Sequence, residues 1–300
     1  MTTARDVTLQ DGRTLRVHDS GAGAGAGPGP GAGAGDGPGP DGLTVLWHHG
    51  SPQTGALLEP LLAAAAVRGI RLLSYARPSY GGSTPRPGRN VASAASDVAE
   101  IADALGLTRF AVMGASGGGP HALACAALLP GRVSAVASIA GLAPFEADGR
   151  GCDGFDWFDG MAADGASLRA AEAGREARAR FEETDEFDPS IFTDRDYAAL
   201  GGAWSVLGAD AQAASAAGSD GLVDDDVAFV TPWGFDVGAI DMPMLLVHGG
   251  QDRVVPSAHS TWLLDRGRNA ELWFRPRESH ISILATCPVV MDWLRAAAEH

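Results

Sequence analysis

The chain has 300 residues, 45% of them hydrophobic, so it can bury a sizeable core as one large domain with a modest insertion. Its formal net charge is −15, and no basic stripe offsets that charge, so we expect neither nucleic acid nor an anionic membrane as a partner. All 22 residues counted as Lys or Arg are arginines, and the lack of lysine excludes pyridoxal enzymes, lysine aldolases and Walker-type NTPases.

The three cysteines, Cys125, Cys152 and Cys287, are widely spaced and form no CxxC or Cys/His pattern. This spacing indicates reduced thiols without a metal, with Cys125 packed in the core, and favours a cytoplasmic location. The polar start of the chain does not resemble a signal peptide, and no apolar run is long enough to span a membrane.

The chain opens with two predicted strands, Val7–Leu9 and Thr14–His18, joined by a turn at Asp11 and Gly12. Residues 21–42 that follow are almost entirely glycine, alanine and proline. Such a segment buries too little to offset its ordering entropy, so we predict a flexible surface loop there.

Strands and helices then alternate along most of the chain. The further predicted strands are Leu43–Trp47, Ile70–Tyr75, Phe110–Met113, Val133–Ile139, Met244–Val247 and Glu271–Phe274. The predicted helices are Leu57–Arg68, Val91–Leu105, one that ends at Pro130, Ala258–Asp265 and one from Ile281. On the helix Val91–Leu105 we expect Asp97, Glu100 and Asp103 to point outward. This alternation predicts an α/β fold with a doubly wound, mostly parallel sheet.

The alternation stops between residues 144 and 231, where the sequence is rich in alanine and in acidic residues and has the pattern of helices. We predict an inserted helical cap over 144–231, and an α/β core made of residues 1–143 and 232–300.

The motif Gly114-Ala115-Ser116-Gly117-Gly118 stands between a predicted strand and a predicted helix. A chain with 41 glycines could contain this motif by chance, but the strand–turn–helix context favours a nucleophile elbow. The turn would strain the backbone at Ser116 and aim the amide of Gly117 at whatever the hydroxyl attacks.

Other polar residues follow the carboxyl ends of the parallel strands, where ligands bind in such sheets. Asp252 follows Met244–Val247 and His280 follows Glu271–Phe274, so serine, aspartate and histidine occur at strand ends in the chain order that the triads of α/β-hydrolases have. His259 is the rival base and Asp241 the rival acid, but His259 is expected to pack locally or face solvent, and Asp241 precedes its strand.

With these motifs the chain resembles the α/β-hydrolase fold proteins, in particular bacterial esterase-like and aminopeptidase-like members with a helical cap. The resemblance covers nearly the whole chain and implies Ser116 as nucleophile, Asp252 as triad acid and His280 as triad base. His49-Gly50-Ser51-Pro52 resembles the H-G-x-P oxyanion segment, which implies backbone donors at Ser51 and Gly117. The segment from Arg77 to Gly81 resembles an R-P-G-Y-G loop, with Ser79 in place of the usual glycine.

A serine at the elbow, where haloalkane dehalogenases and epoxide hydrolases have aspartate, indicates acyl chemistry. We therefore expect a serine hydrolase that cleaves a small ester or related acyl compound through an acyl-enzyme, without a cofactor or metal. Two alternatives remain: a proline iminopeptidase-like aminopeptidase, and a ligand-binding or signalling member of the fold that does not turn over. Perhydrolase or haloperoxidase-like side activity and a homodimer also stay open.

The cap carries two groups of candidate residues. Its acids are interpreted as a solvated face, with capture of a substrate amine as the alternative; they are Glu182, Glu183, Asp185, Glu186, Asp188, Asp224, Asp225 and Asp226. Trp157, Phe158 and Trp204 are candidates for the substrate pocket, and packing within the cap is an equal alternative. His48 and His49 are not expected to form a metal pair, since neighbours on a strand point to opposite faces, and His121 is expected to be structural.

Overall fold

A computed structural model describes residues 2–21, 42–145, 150–151 and 155–299. Residues 22–41 of the loop predicted over 21–42, and Cys152, lie outside the described residues. The strands are β1 Thr3–Thr8, β2 Thr14–Asp19, β3 Thr44–His48, β4 Arg71–Tyr75, β5 Phe110–Ala115, β6 Val133–Ile139, β7 Arg150–Gly151, β8 Phe155–Asp156, β9 Met244–Gly249 and β10 Ala270–Arg275. The helices are α1 Glu59–Val67, α2 Ser93–Ala104, α3 Gly118–Leu128, α4 Ala166–Glu172, α5 Arg175–Glu182, α6 Asp194–Leu200, α7 Ser205–Ala216, α8 Asp220–Phe229, α9 Ala258–Arg266 and α10 Cys287–Ala298.

One sheet of eight of the described strands, in the order β1-β2-β4-β3-β5-β6-β9-β10, organises the fold. The pairs β1–β2 and β2–β4 are antiparallel, and all later neighbours are parallel. Every position of β3, β5, β6 and β9 is buried, because helices cover both faces of the sheet. The predicted α/β fold with a mostly parallel, doubly wound sheet is confirmed.

Alternate residues of each central strand serve opposite sides of the sheet. In β3, Leu46 joins the apolar layer that contains α2 and α3, whereas Val45 and Trp47 join the layer that contains α1 and α10. The sheet is therefore packed on both faces. This packing holds in place the strand ends that carry the candidate site.

The chain between β6 and β9 holds five of the described helices, α4 to α8, and a short antiparallel pair of strands, β7 and β8. The predicted helical insertion in the α/β core is thus confirmed as part of the fold, while the domain boundaries at residues 143/144 and 231/232 stay a prediction. None of the described helices is both long and apolar enough to cross a bilayer.

The prediction that Asp97 points outward from α2 is wrong. Its side chain is only 2% exposed, and it accepts hydrogen bonds from Arg13 (Nη2–Oδ1, 2.6 Å) and Arg86 (Nη1–Oδ1, 2.9 Å). A buried carboxylate needs such partners, and here they come from the start of the chain, at Arg13, and from the loop before α2, at Arg86.

Candidate active site

Ser116 lies on the tight turn between β5 and α3. Its φ is +51°, in the left-handed region that a serine rarely adopts. Hydrogen bonds fix the turn on both sides: Ser116 N donates to the carbonyl of Ile139 (2.9 Å), and Gly119 N donates to the carbonyl of Ser116 (2.9 Å). The backbone therefore holds the hydroxyl above the end of the sheet, as the elbow motif predicts.

The glycines around Ser116 are required by close backbone contacts. A Cβ at Gly114 would lie 2.2 Å from the carbonyl oxygen of Gly118. A Cβ at Gly118 would lie 2.0 Å from the carbonyl oxygen of His48 at the end of β3. Both distances are far inside van der Waals contact, so these two positions admit only hydrogen as a side chain.

Three residues that are distant in the sequence meet at Ser116. His280, after β10, has Nε2 2.9 Å from Ser116 Oγ, and its Nδ1 is 2.8 Å from Oδ2 of Asp252, which follows β9. Asp252 and His280 are 7% exposed as residues, and Ser116 is half-buried. The structure thus brings together the serine, the imidazole and the carboxylate in the arrangement of a Ser-His-Asp triad.

The Asp252 carboxylate is stabilised as an anion. Burial alone would raise its pKa, but His280, His248 and their hydrogen bonds outweigh that effect and hold the pKa well below its usual value. Its Oδ1 also accepts the main-chain N–H groups of Val254 and Val255, each at 2.9 Å. For His280, burial by itself would lower the pKa. The negative charge of Asp252 outweighs burial, so the pKa of His280 is raised above its ordinary value.

The two rival residues are engaged elsewhere. His259 is buried and accepts the main-chain N–H of Ala143 at Nδ1 (3.0 Å), and burial lowers its pKa to about 3. His259 therefore packs locally and does not face solvent, which is one of the two places predicted for it. Asp241 forms an exposed ion pair with Arg268 (3.1 Å).

The expected oxyanion donors lie beside Ser116. A Cβ added at Gly117 would come within 2.3 Å of Ser51 Oγ, which shows how closely these two segments approach. Within the described ranges, neither the main-chain N–H of Ser51 nor that of Gly117 donates to a protein acceptor. Two unpaired amides next to a nucleophilic hydroxyl are what an oxyanion hole requires. His121 is buried, and its Nδ1 lies 2.7 Å from the carbonyl oxygen of Gly117. This position agrees with the structural role expected for it.

A buried charged cluster that the sequence does not reveal lies behind Ser51. Asp225 of α8 is fully buried and pairs with Arg77 (2.6 Å) and with Arg89 (2.6 Å). It also accepts the hydroxyl hydrogens of Ser51 (2.5 Å) and Tyr80 (2.9 Å). Burial would raise the pKa of Asp225, but the two guanidinium groups bring it well below its usual value.

The interpretation of the cap acids as one solvated face is wrong for α8. Asp224 and Asp226 are also buried, and they pair with Arg175 (2.7 Å) and Arg178 (2.6 Å). Burial nevertheless raises the pKa of Asp226 to about 6. A run of three aspartates in a helix could have suggested internal ion pairs, but its arginine partners lie far away in the sequence.

Ser79, which stands in place of a glycine, keeps the backbone of its loop in the conformation that a glycine adopts. Its φ is +74°, in the left-handed region. Its hydroxyl donates to Oδ2 of Asp224 (2.9 Å), so the substitution adds a contact with α8.

The three aromatic candidates for the substrate pocket are buried. Trp157 has no exposed surface, and its indole N–H donates to the carbonyl of Ala143 (2.8 Å). Phe158 packs against it with ring centroids 5.0 Å apart, and Trp204, at 4% exposure, packs in the apolar layer on the α1 side of the sheet. Their contact with a substrate stays a prediction.

Together, the sheet order and the serine–histidine–aspartate arrangement at the strand ends define an α/β-hydrolase. The sequence profile of the alpha/beta hydrolase fold family matches residues 44–284, so the chain belongs to that family. It is 28% identical over 236 residues to a non-heme chloroperoxidase of Streptomyces lividans, an alignment that covers 73% of this chain and 77% of that protein.

Solved structures share the fold at low sequence identity. An esterase from Thermogutta terrifontis is 19% identical, with a TM-score of 0.67 over 99% of this chain and 100% of that one. A bromoperoxidase from Bacillus anthracis is 20% identical, with a TM-score of 0.69 over 98% of both chains. An enol-lactonase from Burkholderia xenovorans is 19% identical, with a TM-score of 0.68 over 97% and 99% of the two chains.

Proposed function

We propose that the protein is a serine hydrolase that cleaves a small uncharged ester or a related acyl compound. The continuous hydrogen-bonded path from Ser116 through His280 to Asp252 carries this proposal, with heavy-atom distances of 2.9 Å and 2.8 Å. Family membership supports hydrolase chemistry in general, and the triad supports the acyl-enzyme route in particular.

In the first step His280 Nε2 takes the hydroxyl proton of Ser116 while Oγ forms a bond to the acyl carbon. Asp252 holds the imidazole with its proton on Nδ1 and stabilises the cation that results. The imidazolium then gives its proton to the leaving alcohol as the ester bond breaks. Water repeats the sequence on the acyl-enzyme and releases the acid, with general base assistance worth roughly 10²–10⁴-fold.

The negative charge on the tetrahedral oxygen would be held by the backbone amides of Ser51 and Gly117. Both groups are free of other acceptors within the described residues, so no existing hydrogen bond has to break before they bind the oxyanion. Each such donor contributes roughly 10²–10³-fold to the rate.

A second candidate activity uses the same acyl-enzyme with hydrogen peroxide in place of water. Peroxide would attack the acyl carbon, Ser116 Oγ would leave as the hydroxyl, and the product would be a peroxy acid. The similarity to a protein named chloroperoxidase favours this candidate. The aminopeptidase alternative gains no support from α8, because its three aspartates already pair with arginines.

The test compares wild type with Ser116→Ala in labelling by a fluorophosphonate and in hydrolysis of p-nitrophenyl esters of increasing chain length. We expect a labelled peptide that contains Ser116, and loss of both labelling and turnover in the variant. Wild type that resists labelling, or a variant that still turns over, would exclude the proposed mechanism. Proline-naphthylamide in parallel separates the aminopeptidase alternative, and added peroxide with a peroxy acid assay measures the second activity.

A further inference from the structure

We propose that Arg77 and Asp225 are positioning residues that strengthen and orient the Ser51 N–H as an oxyanion donor, so that the inserted helix α8 completes the hole. The inference rests on the proposed function. It concerns residues that do not touch the reacting atoms and act through the peptide group between Gly50 and Ser51.

The carbonyl of Gly50 and the N–H of Ser51 belong to one peptide group. The Gly50 oxygen accepts hydrogen bonds from Nδ1 of His49 (2.7 Å) and from Nη2 of Arg77 (3.2 Å). Hydrogen bonds in a chain polarise one another, most strongly where water is excluded. Two donors on the carbonyl oxygen, one of them charged, therefore make the N–H at the other end of that peptide a better donor.

The tautomer of His49 is set by Arg77. The main-chain N–H of Arg77 donates to Nε2 of His49 (3.2 Å), so the imidazole carries its proton on Nδ1, where it faces the Gly50 oxygen. Burial holds the pKa of His49 well below its usual value, so the ring is neutral and keeps this tautomer. The guanidinium also donates through Nη1 to the His49 carbonyl. Arg77 thus holds the oxyanion segment at both consecutive carbonyls.

The carboxylate of Asp225 holds the guanidinium of Arg77 in place. Nη2 of Arg77 lies 2.6 Å from Oδ2 and Nε lies 3.3 Å from Oδ1. The hydroxyl of Ser51 bridges the same two groups, since it donates to Asp225 (2.5 Å) and accepts from Arg77 (2.9 Å). The side chain of Ser51 therefore fixes the residue whose backbone N–H is the proposed oxyanion donor.

The cluster also has the correct charge for this role. It contains two guanidinium groups, Arg77 and Arg89, and one carboxylate, Asp225, all of them 6% exposed or less. The guanidinium of Arg77, held by Asp225, lies behind the oxyanion segment in a water-poor environment, where electrostatic interactions are stronger than at the surface. Negative charge that forms only in the transition state would be stabilised more than the neutral ester.

The experiment uses the full-length protein with Ser51→Ala and Asp225→Asn, and with Tyr80→Phe as the matched control. Tyr80 donates to the same Asp225 oxygen (2.9 Å), but its hydroxyl bonds to neither His49 nor Gly50 among the described residues. The measurements are kcat and KM with p-nitrophenyl acetate, the inhibition constant of a trifluoromethyl ketone, which mimics the tetrahedral oxyanion, and the melting temperature.

We expect Ser51→Ala and Asp225→Asn to lower kcat by roughly 10- to 100-fold, with KM nearly unchanged, because a misplaced donor weakens transition-state binding alone. The inhibition constant of the ketone should rise by the same factor. Tyr80→Phe should lower the melting temperature while kcat and the inhibition constant stay close to wild type. Ser51→Ala leaves no buried charge unpaired, so it decides the question if Asp225→Asn does not fold.

An unchanged inhibition constant in Ser51→Ala, or equal kinetic losses in Tyr80→Phe, would show that the cluster is only structural and would overturn the inference while the proposed hydrolase stands. Failure of the hydrolase itself has a different signature. Ser116→Ala would then match wild type in every acyl assay, and both proposals would fall.

Discussion

His280 can accept the serine proton only while its imidazole is neutral. Its pKa is raised above the ordinary 6.5, because Asp252 more than offsets the effect of burial. We therefore expect kcat/KM to rise with pH through an apparent pKa above 6.5, measured with an uncharged ester over pH 5 to 9. An acidic limb at or below 6.5 would contradict the charge arrangement.

Asp252→Asn tests the origin of that shift. The variant removes the carboxylate that raises the pKa of His280 but keeps the shape of the side chain. We expect kcat to fall by about 10⁴-fold, because the imidazole loses its preferred tautomer, and the acidic limb to move to lower pH. Asp241→Asn, in an exposed ion pair, is the control and should leave both quantities unchanged.

Ser79 allows backbone strain to be separated from a hydrogen bond. Ser79→Ala and Ser79→Gly both lose the bond to Asp224 (2.9 Å), but only the glycine relieves the left-handed conformation at φ +74°. We expect the glycine variant to have the larger free energy of unfolding by about 1 kcal/mol, measured by urea titration. Equal stabilities would mean that the loop relaxes when the hydroxyl is lost.

At the scale of residues, the expected place of Ser116, Asp252 and His280 in one hydrogen-bonded set agrees with the structure, because each follows a strand that ends at the same edge of the sheet. The burial of Asp97 and Asp225 was not predictable in the same way. A carboxylate is buried only where cations or hydrogen-bond donors meet it, and for these two the arginine partners come from other segments of the chain. No local sequence pattern indicates these contacts between carboxylates and arginines of other segments.

Among the elements, the nucleophile elbow leaves no room for a side chain at Gly118. A methyl group at Gly118 would press on the carbonyl of His48, 2.0 Å away, and force apart β3 and the start of α3. We expect Gly118→Ala to lower the melting temperature and to reduce turnover of p-nitrophenyl acetate by at least about 10²-fold, since a displacement of 1 Å at a reacting group has that effect.

The control is Gly131→Ala, between α3 and β6. A Cβ there meets no atom of the described residues within 4 Å, and the φ of Gly131 lies outside the left-handed region. Activity and stability should stay close to wild type. Loss of activity in both variants would indicate that any added methyl group in this glycine-rich chain is disruptive, and that the elbow has no special requirement.

Elements with a mostly apolar run were predictable from the sequence, because few positions of a strand buried on both faces are polar. β6 has the predicted bounds, Val133–Ile139. The ends of other elements were less well defined. The final helix, predicted from Ile281, is divided into a 3-10 helix, Ser282–Thr286, and α10, and the N–H groups of Ile281 and Ser282 donate to Asp196 (2.8 Å each). A contact with the distant helix α6 therefore accompanies the start of the 3-10 helix.

For the molecule as a whole, the buried carboxylates link stability to pH. The pKa values of Asp196, Asp225 and Asp252 are lowered in the folded state, so their stabilising effect is present above the ordinary value of 3.8 and is lost as the pH falls below it. The formal charge of −15 acts in the opposite direction, because acidification toward the pI of about 4.8 relieves repulsion. We therefore expect the free energy of unfolding to be greatest near pH 5 to 6 and to fall steeply below pH 4.

Asp196→Ala tests whether a single buried carboxylate contributes to this acid limb. The variant leaves the N–H groups of Ile281 and Ser282, next to His280, without their acceptor, so we expect a loss of at least about 2 kcal/mol at pH 7. The slope of stability against pH between 4 and 2, from urea titrations, should be shallower than in wild type by up to one proton, since one titrating group is gone. Asp241→Ala, whose side chain is 71% exposed, is the control and should keep the wild-type slope. A wild-type slope in Asp196→Ala as well would mean that the acid limb reflects general charge repulsion and not the buried carboxylates that tie the inserted helices to the loop of His280.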